Sequence, residues 1–276
     1  MPELPEVAAV VAHLEKVITN VFISEASLLR PRLAPYSTAA EFSAALMDVR
    51  VSGVTRRGKF IMIGLSNAKT LLVHLRMSGR FMLLSNEADD PKFTHAVFRL
   101  ADGRKLLFTD QRHFGLMKIV ETNEAMEYRE IKALAPEPFG SEFSVDYLRT
   151  KLQASGRSIK EFLLDQTKVC GLGNIYACEA LFNARVNPTR AANQLTRPKL
   201  KRLHQEIRSV LQTAVDSMIS RPMHPEIVGD GIYGESHSDL WSVYGREHEP
   251  CLKCNSVIKR IPQGGRSTYY CPRCQR

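Results

Sequence analysis

Residues 70–84, TLLVHLRMSGRFMLL, and residues 95–110, HAVFRLADGRKLLFTD, decide the fold of the first half of the chain. Both consist of short apolar runs separated by turn residues, a pattern typical of antiparallel β-strands. Asp102-Gly103 is the predicted turn of a hairpin inside the second stretch. Because similar runs continue over residues 21–120, the sequence predicts a β-sandwich or a β-barrel.

The spacing of apolar residues becomes helical on both sides of this strand-rich region. Residues 5–19 place them at i, i+3, i+4 and i+7, which predicts an amphipathic helix with a proline in its first turn. Residues 145–220 return to helical spacing, and the turn-rich stretch APEPFG at 135–140 is the predicted linker. Residues 222–245 are rich in Gly and Pro, which predicts a mobile loop.

The composition bounds the class of protein. The chain has 276 residues, of which 44% are hydrophobic, enough for two domains with packed cores. Lys and Arg outnumber Asp and Glu by 38 to 29, giving a formal net charge of +9. This charge favours a polyanionic partner such as nucleic acid, although a generally basic solvated surface would give the same count. No stretch reaches the ~18 consecutive apolar residues of a membrane span, and MPELPEV lacks the pattern of a signal peptide, so we expect a cytoplasmic protein without a membrane partner.

Four cysteines near the C-terminus carry a metal-site pattern. They form the pairs CLKC and CPRC, separated by sixteen residues: Cys251, Cys254, Cys271 and Cys274. Four thiolates at this spacing suit one tetrahedral zinc ion, and in a reducing compartment they are not expected to form disulfides. Because all four positions around the metal are filled, the predicted role of the zinc is structural. The hairpin between the pairs carries Arg266 next to Gly264-Gly265, which makes that arginine a candidate contact to DNA phosphate.

The extreme N-terminus carries a second chemical signal. A small second residue such as Pro2 normally allows removal of the initiator Met, which would leave a free secondary amine. An α-amino group titrates near ~7.7–8.0 against ~10.4 for lysine, so far more of it is unprotonated at neutral pH. Such an amine can attack a sugar C1′ and form an iminium ion, while Glu3 transfers protons. The alternative is that Pro2 and Pro5 only fix the start of the helix, while Glu3 and Glu6 complement its dipole.

Six motifs extend this signal over the whole chain, from Pro2 to Gln275. They are MPELPEV, TRRGKF, HLRMSGRF, TDQRHFG, GLGNIYACEALF and GGRSTYYCPRCQ. Together they resemble the formamidopyrimidine-DNA glycosylase branch of the Fpg/Nei family. The resemblance implies an α+β, two-domain fold with an N-terminal β-sandwich and a leading helix, followed by a helical helix-two-turn-helix domain ending in a β-hairpin zinc finger. We place the catalytic domain at 1–135, a linker at 136–145, the helix-two-turn-helix domain at 146–245 and the zinc finger at 246–276.

The resemblance assigns the catalytic residues. It makes Pro2 the nucleophile, Glu3 the acid–base residue and Glu6 a supporting carboxylate. Lys59, in RRGKF, is implied to lie near the lesion and its phosphate, and Arg266 completes the predicted catalytic set. The alternative for Lys59 is a solvated charge at the start of a strand, but the neighbouring arginines favour a phosphate-facing cluster.

The resemblance also implies contacts that hold the DNA backbone. Asn174, in GLGNIYA, would hold the phosphates that flank the lesion together with Arg266, and glycines beside it let the backbone approach a phosphate. By itself GLGN would predict only a turn into a helix. His74 is implied to contact a phosphate, with a surface histidine as the alternative. Lys160 aligns with a family residue near the lesion pocket and is a predicted DNA-binding residue.

An enzyme that attacks C1′ must first flip the nucleotide out of the duplex. The resemblance implies that Phe114 wedges between base pairs, Met77 occupies the void and Arg112 hydrogen-bonds the orphaned partner base. Without the motifs, Met77 and Phe114 would each be predicted to pack in the core.

The sequence departs from the family pattern in three places. The usual ET after PELPEV is AA, and the Arg that often follows Arg112 is His113, which is expected to weaken one phosphate contact. Residues 222–238 replace the family's Thr-rich and Asp-Gly loop, which is associated with capping a flipped oxidised purine. The preferred lesion and opposite base therefore stay open at this point.

The leading hypothesis is a bifunctional DNA glycosylase and abasic-site lyase of base excision repair. It would remove oxidised or ring-opened purines from double-stranded DNA through an iminium on Pro2, followed by β,δ-elimination. The resemblance implies one structural zinc ion, no organic cofactor, a monomer, and a bacterial enzyme that associates with the nucleoid. A non-catalytic or altered-specificity binder of damaged DNA is the second hypothesis. A general zinc-ribbon module is the third, but it leaves MPELPEV and TDQRHFG unexplained.

Overall fold

The computed structural model describes residues 1–220, 227–228 and 241–276. The described residues form two compact units, one built mainly from residues 1–132 and the other mainly from residues 133–216 and 241–276. The finer domain boundaries given above, including the linker at 136–145, stay a prediction.

The first unit combines a leading helix with nine strands. Its helices are α1 (Leu4–Ile18), α2 (Ala39–Leu46) and α3 (Arg129–Lys132). Its strands are β1 (Phe22–Leu28), β2 (Val49–Arg57), β3 (Phe60–Leu65), β4 (Lys69–His74), β5 (Gly79–Ser85), β6 (Thr94–Leu100), β7 (Arg104–Asp110), β8 (Leu116–Glu121) and β9 (Ile227–Val228). The strand order is β8-β4-β3-β2-β1-β6-β7-β5-β9, and every neighbouring pair is antiparallel.

This strand order folds into a sandwich because its two halves are joined by very little pairing. Strands β1 and β2 pair through only two residue pairs, Phe22 with Arg50 and Ile23 with Val49. The half β8-β4-β3-β2 and the half β1-β6-β7-β5-β9 can therefore separate into two layers. Apolar side chains of both halves and of α1 lie in one buried cluster, including Val7, Leu14, Ile61, Val73, Phe98 and Phe108. The predicted N-terminal β-sandwich with a leading helix is confirmed.

The helix and the hairpin turn predicted for the first unit are present, but one helix, α2, was not predicted. The helix predicted at 5–19 is α1, and Asp102-Gly103 lies in the loop that joins β6 to β7, with Gly103 at φ +85°. Helix α2 was missed because residues 39–46 fall inside the strand-rich region. Its signal was available in the sequence, since Thr38 and Glu41 form a capping box in which the Glu41 amide donates to Thr38 Oγ1 at 3.2 Å.

The second unit is helical and ends in a hairpin, as predicted. Its elements are α4 (Val145–Gln153), α5 (Ile159–Leu164), α6 (Asn174–Asn183), α7 (Arg197–Ile219), β10 (Lys259–Gln263) and β11 (Arg266–Tyr270). Leu200, Leu203, Ile207 and Leu211 recur at helical spacing on α7 and are all buried. The apolar pattern read from the sequence thus marks the packed side of this helix.

The turn of the β10–β11 hairpin depends on two glycines. Gly264 and Gly265 have φ values of +54° and +73°, a conformation that suits a two-residue hairpin turn and favours glycine. A Cβ on Gly264 would lie 3.2 Å from a carboxylate oxygen of Glu161 on α5. Gln263 donates from its side-chain amide to Ser158 Oγ at 3.3 Å. The hairpin tip is therefore packed tightly on the start of α5.

Two expectations concern other parts of the chain. The loop predicted at 222–245 lies largely outside the described residues, and so does nearly all of the stretch 222–238 that departs from the family pattern. Among the helices that the structure describes, none is both long enough and apolar enough to cross a membrane.

Candidate catalytic and DNA-binding site

Residues 2–7, PELPEV, are buried at the start of α1. Pro2 is buried, and Glu3 and Glu6 are only 3% and 5% exposed. Glu3 is the N-cap residue of α1 and forms a capping box with Glu6, whose carboxylate accepts the Glu3 amide proton at 2.7 Å. Glu6 therefore fixes the backbone of the residue that follows Pro2. The N-terminal end of α1, where the helix dipole is positive, begins two residues after Pro2.

Lys59 and His74 lie close together on neighbouring strands. Lys59 precedes β3 and is 5% exposed, and Phe60 pairs directly with His74 at the end of β4. Burial, together with the positive charges of Arg76 and Lys59, lowers the pKa of His74 to about 3. The Arg76 amide donates to His74 Nδ1 at 3.0 Å, so the neutral ring carries its proton on Nε2. His74 is therefore a neutral side chain that can donate a hydrogen bond through Nε2.

Met77 and Phe114 are exposed, which excludes the alternative that they pack in the core. Their exposed fractions are 38% and 49%, whereas apolar side chains of the adjoining strands are buried. Arg112 is also exposed, and its guanidinium lies 5.3 Å from the centre of the Phe114 ring. An exposed aromatic ring with a cation over its face is suited to stacking on a base.

A buried carboxylate holds the segments that carry these three side chains. Asp110 has no exposed surface, and its oxygens accept the amides of Arg112 at 3.1 Å, Phe114 at 2.7 Å and Gly115 at 2.7 Å. The Ser78 hydroxyl donates to the same carboxylate and accepts the Arg112 amide at 3.0 Å. Because Ser78 follows Met77 directly, Asp110 connects the Met77 turn to the Phe114 turn.

Sequence analysis missed Asp110 and Ser78 as site residues. The aspartate was visible in TDQRHFG, but its partner Ser78 is 32 residues away in sequence. Although burial raises the pKa of Asp110, hydrogen bonds from Ser78 and from the amides of Gly115, Arg112 and Phe114 together lower it below its ordinary value. The carboxylate is therefore ionised at neutral pH and can accept all of these bonds.

His113 faces a second histidine. Its Nδ1 lies 3.0 Å from Nε2 of His95, which is 3% exposed, and the two rings are stacked with an interplanar angle of 13°. Burial and the neighbouring His113 lower the pKa of His95. The residue at the family's arginine position therefore uses one ring nitrogen to contact the protein. The expected weakening of one phosphate contact stays a prediction.

In the second unit, Lys160 connects Asn174 to the hairpin. Lys160 has no exposed surface, and its ammonium donates to Asn174 Oδ1 at 2.6 Å and lies 3.5 Å from Thr268 Oγ1 on β11. Asn174 donates through its Nδ2 to the Ser267 carbonyl at 2.9 Å. The predicted DNA contact of Lys160 stays a prediction, and the structure shows its ammonium bonded to Asn174.

Arg266 and Asn174 are brought to the same region by these bonds. Arg266 is exposed and directly precedes Ser267, whose carbonyl binds Asn174. Asn174 is the first residue of α6, where the positive end of the helix dipole favours a phosphate. The geometry therefore combines a guanidinium, an amide side chain and a helix N-terminus within one unit.

Glu179 is a further residue that sequence analysis missed. It is 4% exposed, and its carboxylate accepts the amides of Ser242, Val243 and Tyr244, each at 2.9 Å. These amides precede the first cysteine pair, and Val243 packs in one cluster with Cys251 and Cys271. The glutamate of GLGNIYACEALF therefore anchors the segment that leads into the zinc finger on α6.

The four cysteines fit one zinc ion. Their Sγ atoms all lie within 4.8 Å of one another, with 3.9 Å between Cys251 and Cys274 and 3.5 Å between Cys254 and Cys271. Tetrahedral coordination with Zn–S bonds of ~2.3 Å requires sulfur–sulfur distances of about 3.8 Å. The cluster therefore fits the predicted cofactor, one structural zinc ion. Cysteine fills all four of its coordination positions.

Removal of the zinc ligands should release the hairpin. In a Cys271→Ala, Cys274→Ala double variant, zinc per chain should fall from about one to near zero, because two thiolates form no structural site. Amide hydrogen exchange in residues 259–270 should accelerate, while exchange in β3 and β4 stays unchanged. Cys170→Ala, which lies outside the cluster, is the control and should keep its zinc. Full zinc occupancy in the double variant would contradict this assignment.

Replacement of Asp110 should destabilise the first unit in a pH-dependent way. The lowered pKa means that the carboxylate stabilises the fold above its unfolded pKa of about 3.9, and that this contribution disappears as pH falls through the native pKa. Asp110→Asn should therefore lower the free energy of unfolding by about 2–5 kcal/mol at pH 7, with a smaller loss at pH 3. Urea titrations at both pH values measure this, with the exposed Asp89→Asn as control. A loss that is equal at both pH values would refute the role of the charge.

The comparisons with known proteins agree with this geometry. Residues 1–117 match the formamidopyrimidine-DNA glycosylase N-terminal domain, residues 134–222 the H2TH domain of the same enzyme, and residues 249–276 a zinc finger found in FPG and IleRS. The formamidopyrimidine-DNA glycosylase of Heliobacterium modesticaldum is 40% identical, with 100% of both chains covered. That of Pelotomaculum thermopropionicum is 38% identical over 100% of this chain and 99% of its own.

Solved structures give the same result. The Lactococcus lactis Fpg in complex with an abasic site containing DNA has a TM-score of 0.91 at 32% identity, with 99% of both chains covered. The same protein with a N7-Benzyl-Fapy-dG containing DNA also has a TM-score of 0.91 at 32% identity, with 100% of both chains covered. With matching domains in the same order and relatives aligned from end to end, the chain belongs to the formamidopyrimidine-DNA glycosylase family.

Proposed function

We propose that this chain is a bifunctional DNA glycosylase and abasic-site lyase of base excision repair that acts through the amine of Pro2. The observation that carries the proposal is the burial of Pro2 and Glu3 at the start of α1, in a member of this glycosylase family. A helix start at the surface would not need Pro2 and Glu3 to be buried. The mature enzyme has lost Met1, so that Pro2 carries a secondary amine.

The reaction begins with nucleophilic displacement at the sugar. The Pro2 nitrogen bonds to C1′ as the glycosidic bond breaks, and the departing base takes up a proton. Ring opening then gives a positively charged iminium between Pro2 and C1′, which makes the C2′ proton acidic. Glu3 is the residue placed to give and to take these protons.

Two eliminations follow from the iminium. Loss of the C2′ proton expels the 3′ phosphate, and loss of the C4′ proton then expels the 5′ phosphate. Water hydrolyses the remaining iminium, which frees Pro2 and leaves a gap of one nucleotide. Lys59 lies beside His74 and supplies a positive charge to the phosphate at the lesion. Zinc takes no step in this scheme, since all four of its ligand positions are filled by cysteine.

The DNA contacts divide into backbone and base contacts. Arg266, Asn174 and the Nε2–H of neutral His74 bind backbone phosphates, and Lys160 orients Asn174 for this task. Because the pKa of His74 is about 3, that contact is a neutral hydrogen bond rather than an ion pair over the physiological pH range. It should therefore contribute nothing to the dependence of affinity on salt.

The exposed Met77, Phe114 and Arg112 extrude the damaged nucleotide. Phe114 enters the base stack, Met77 fills the space of the extruded nucleotide, and Arg112 bonds the orphaned partner base. Asp110 supports this step because it holds the backbone of the loop that carries Arg112 and Phe114. An insertion that unstacks bases requires such a rigid loop, since a flexible one would yield instead of the DNA.

The substrate class that we propose is double-stranded DNA with oxidised or ring-opened purines or abasic sites. The Lactococcus lactis Fpg, to which the chain is similar, has been solved with a N7-Benzyl-Fapy-dG containing DNA and with an oxidized pyrimidine containing DNA. Residues 222–238, in which the sequence departs from the family, bear on the choice among lesions. We place the enzyme in the bacterial cytoplasm as a monomer that associates with the nucleoid.

An uncleavable N-terminal extension should separate chemistry from binding. Placing Gly-Ser before Pro2 converts its amine into an amide, so cleavage of an abasic-site duplex should fall by at least about 10³-fold. Binding to a duplex with tetrahydrofuran, a stable abasic analogue, should change less than about threefold. The control carries the same extension with a protease site directly before Pro2, and cleavage should return after proteolysis. Unchanged cleavage by the extended enzyme would exclude Pro2 as the nucleophile, whereas binding without turnover in the processed control would favour the non-catalytic alternative.

A further inference from the structure

A cleft of about 280 Å³ lies in the first unit, and no role has been given to it so far. Its lining includes two basic side chains, one aromatic ring and one side-chain amide, supplied by Arg80, Lys92, Phe93 and Gln111. Its volume is near the lower end of the ~300–1,000 Å³ typical of small-molecule sites. It therefore suits a single group of about the size of a nucleotide.

The floor of the cleft is the outer face of the β5–β7 pair. Along β5, Phe81 and Leu83 are buried in the core, while Arg80 and Met82 alternate with them, are partly exposed and line the cleft. Arg80 pairs directly with Thr109 on β7, which lines the cleft as well. Two regular strands thus hold the floor in a fixed shape.

Phe93 forms the wall and is held in an unusual conformation. Its side chain is 46% exposed, and its backbone has φ +66°, a region that bulky residues rarely adopt. The Asp110 amide donates to the Phe93 carbonyl at 3.0 Å, and Thr94 Oγ1 donates to the Pro91 carbonyl at 2.7 Å. The Phe93 ring packs edge-on against His113, with centroids 5.8 Å apart. A strained and exposed aromatic residue fixed on several sides indicates a site prepared for a ligand.

The cleft opens next to the residues that extrude the damaged nucleotide. Ser78 and Gln111 line it, and they are the direct neighbours of Met77 and Arg112 in the chain. Arg112 acts on the partner base, so the cleft lies on the side of the strand opposite the lesion. Pro2 and Glu3 are absent from its lining, which separates it from the place where the lesion reacts.

We propose that this cleft binds one unstacked nucleotide of the strand opposite the lesion. Its base stacks on Phe93, the Gln111 side chain bonds the base edge, and Arg80 and Lys92 contact the flanking phosphates. The inference rests on the proposed function, because it takes the orientation of the DNA from the role of Arg112. It adds a second contact to the undamaged strand, beyond the orphaned base itself.

Photo-cross-linking locates the nucleotide. A tetrahydrofuran duplex carries 5-iododeoxyuridine at one position at a time, first along the opposite strand and then along the lesion strand. The expected result is a cross-link to Phe93, mapped by mass spectrometry, from one position of the opposite strand. Cross-links to Phe93 from the lesion strand, or from no position, would overturn the proposal.

Substitution tests the stacking contact. Phe93→Leu keeps an apolar side chain but removes the ring, and should weaken binding to the tetrahydrofuran duplex roughly 5- to 150-fold, as expected for one lost base–aromatic stack. Phe22→Leu is the matched control, because Phe22 is 48% exposed and lies on β1 beside the other end of β6. Removing the base at the cross-linking position should weaken binding by the wild-type enzyme but not by Phe93→Leu. Equal losses in both enzymes would refute the contact.

Failure of this inference can be told apart from failure of the proposed function. Borohydride trapping of the wild type on an abasic duplex, at saturating DNA, reports on the Pro2 chemistry independently of the Phe93 contact. If the wild type traps and Phe93→Leu binds all duplexes normally, the cleft is refuted while the proposed function stands. If the wild type itself does not trap, the proposed function fails.

Discussion

The structure depends first on the packing of the apolar face of α1 into the core of the sandwich. An amine at the end of a chain can act at a fixed point only if the residues that follow it are immobile. Leu4, Val7, Val10 and Leu14 are each at most 1% exposed, so α1 cannot shift without exposing a large apolar surface. The capping box of Glu3 and Glu6 then fixes the first turn after Pro2. The same apolar pattern that makes the core therefore positions Pro2, the proposed nucleophile.

A second principle is the use of buried charges to hold exposed functional groups. Asp110 accepts the backbone amides of Arg112 and Phe114, and Lys160 donates to Asn174. Burying an unsatisfied charge would be costly, so each of these groups fixes its partners in the geometry that satisfies it. The side chains that are proposed to contact DNA can remain exposed, because buried charged groups hold the backbone that carries them. His95, paired with His113, adds a further support to the same loop.

The sequence predicts the parts of this arrangement that depend on local patterns. The alternation of apolar and polar residues predicts the strands, and the helical spacing of apolar residues predicts α1 and α7. The spacing of the cysteines predicts the zinc site. Each of these patterns depends on residues that are near one another in the chain. Asp110, Lys160 and Glu179 as anchors could not be predicted, since their partners are distant in sequence or are backbone amides. The apolar pattern alone predicted that Met77 and Phe114 pack in the core, whereas the family motifs indicated a functional role. The fold shows that both side chains are exposed.

The central claim is that the Pro2 amine forms a covalent iminium with the sugar, and borohydride trapping tests it most directly. The enzyme is incubated with an abasic-site duplex and sodium borohydride, and the reduced complex is digested and mapped by mass spectrometry. The account predicts one DNA adduct per chain, on a peptide that begins at Pro2. An adduct on Lys59 or on another lysine, or the absence of any adduct while the duplex is bound and cut, would contradict it.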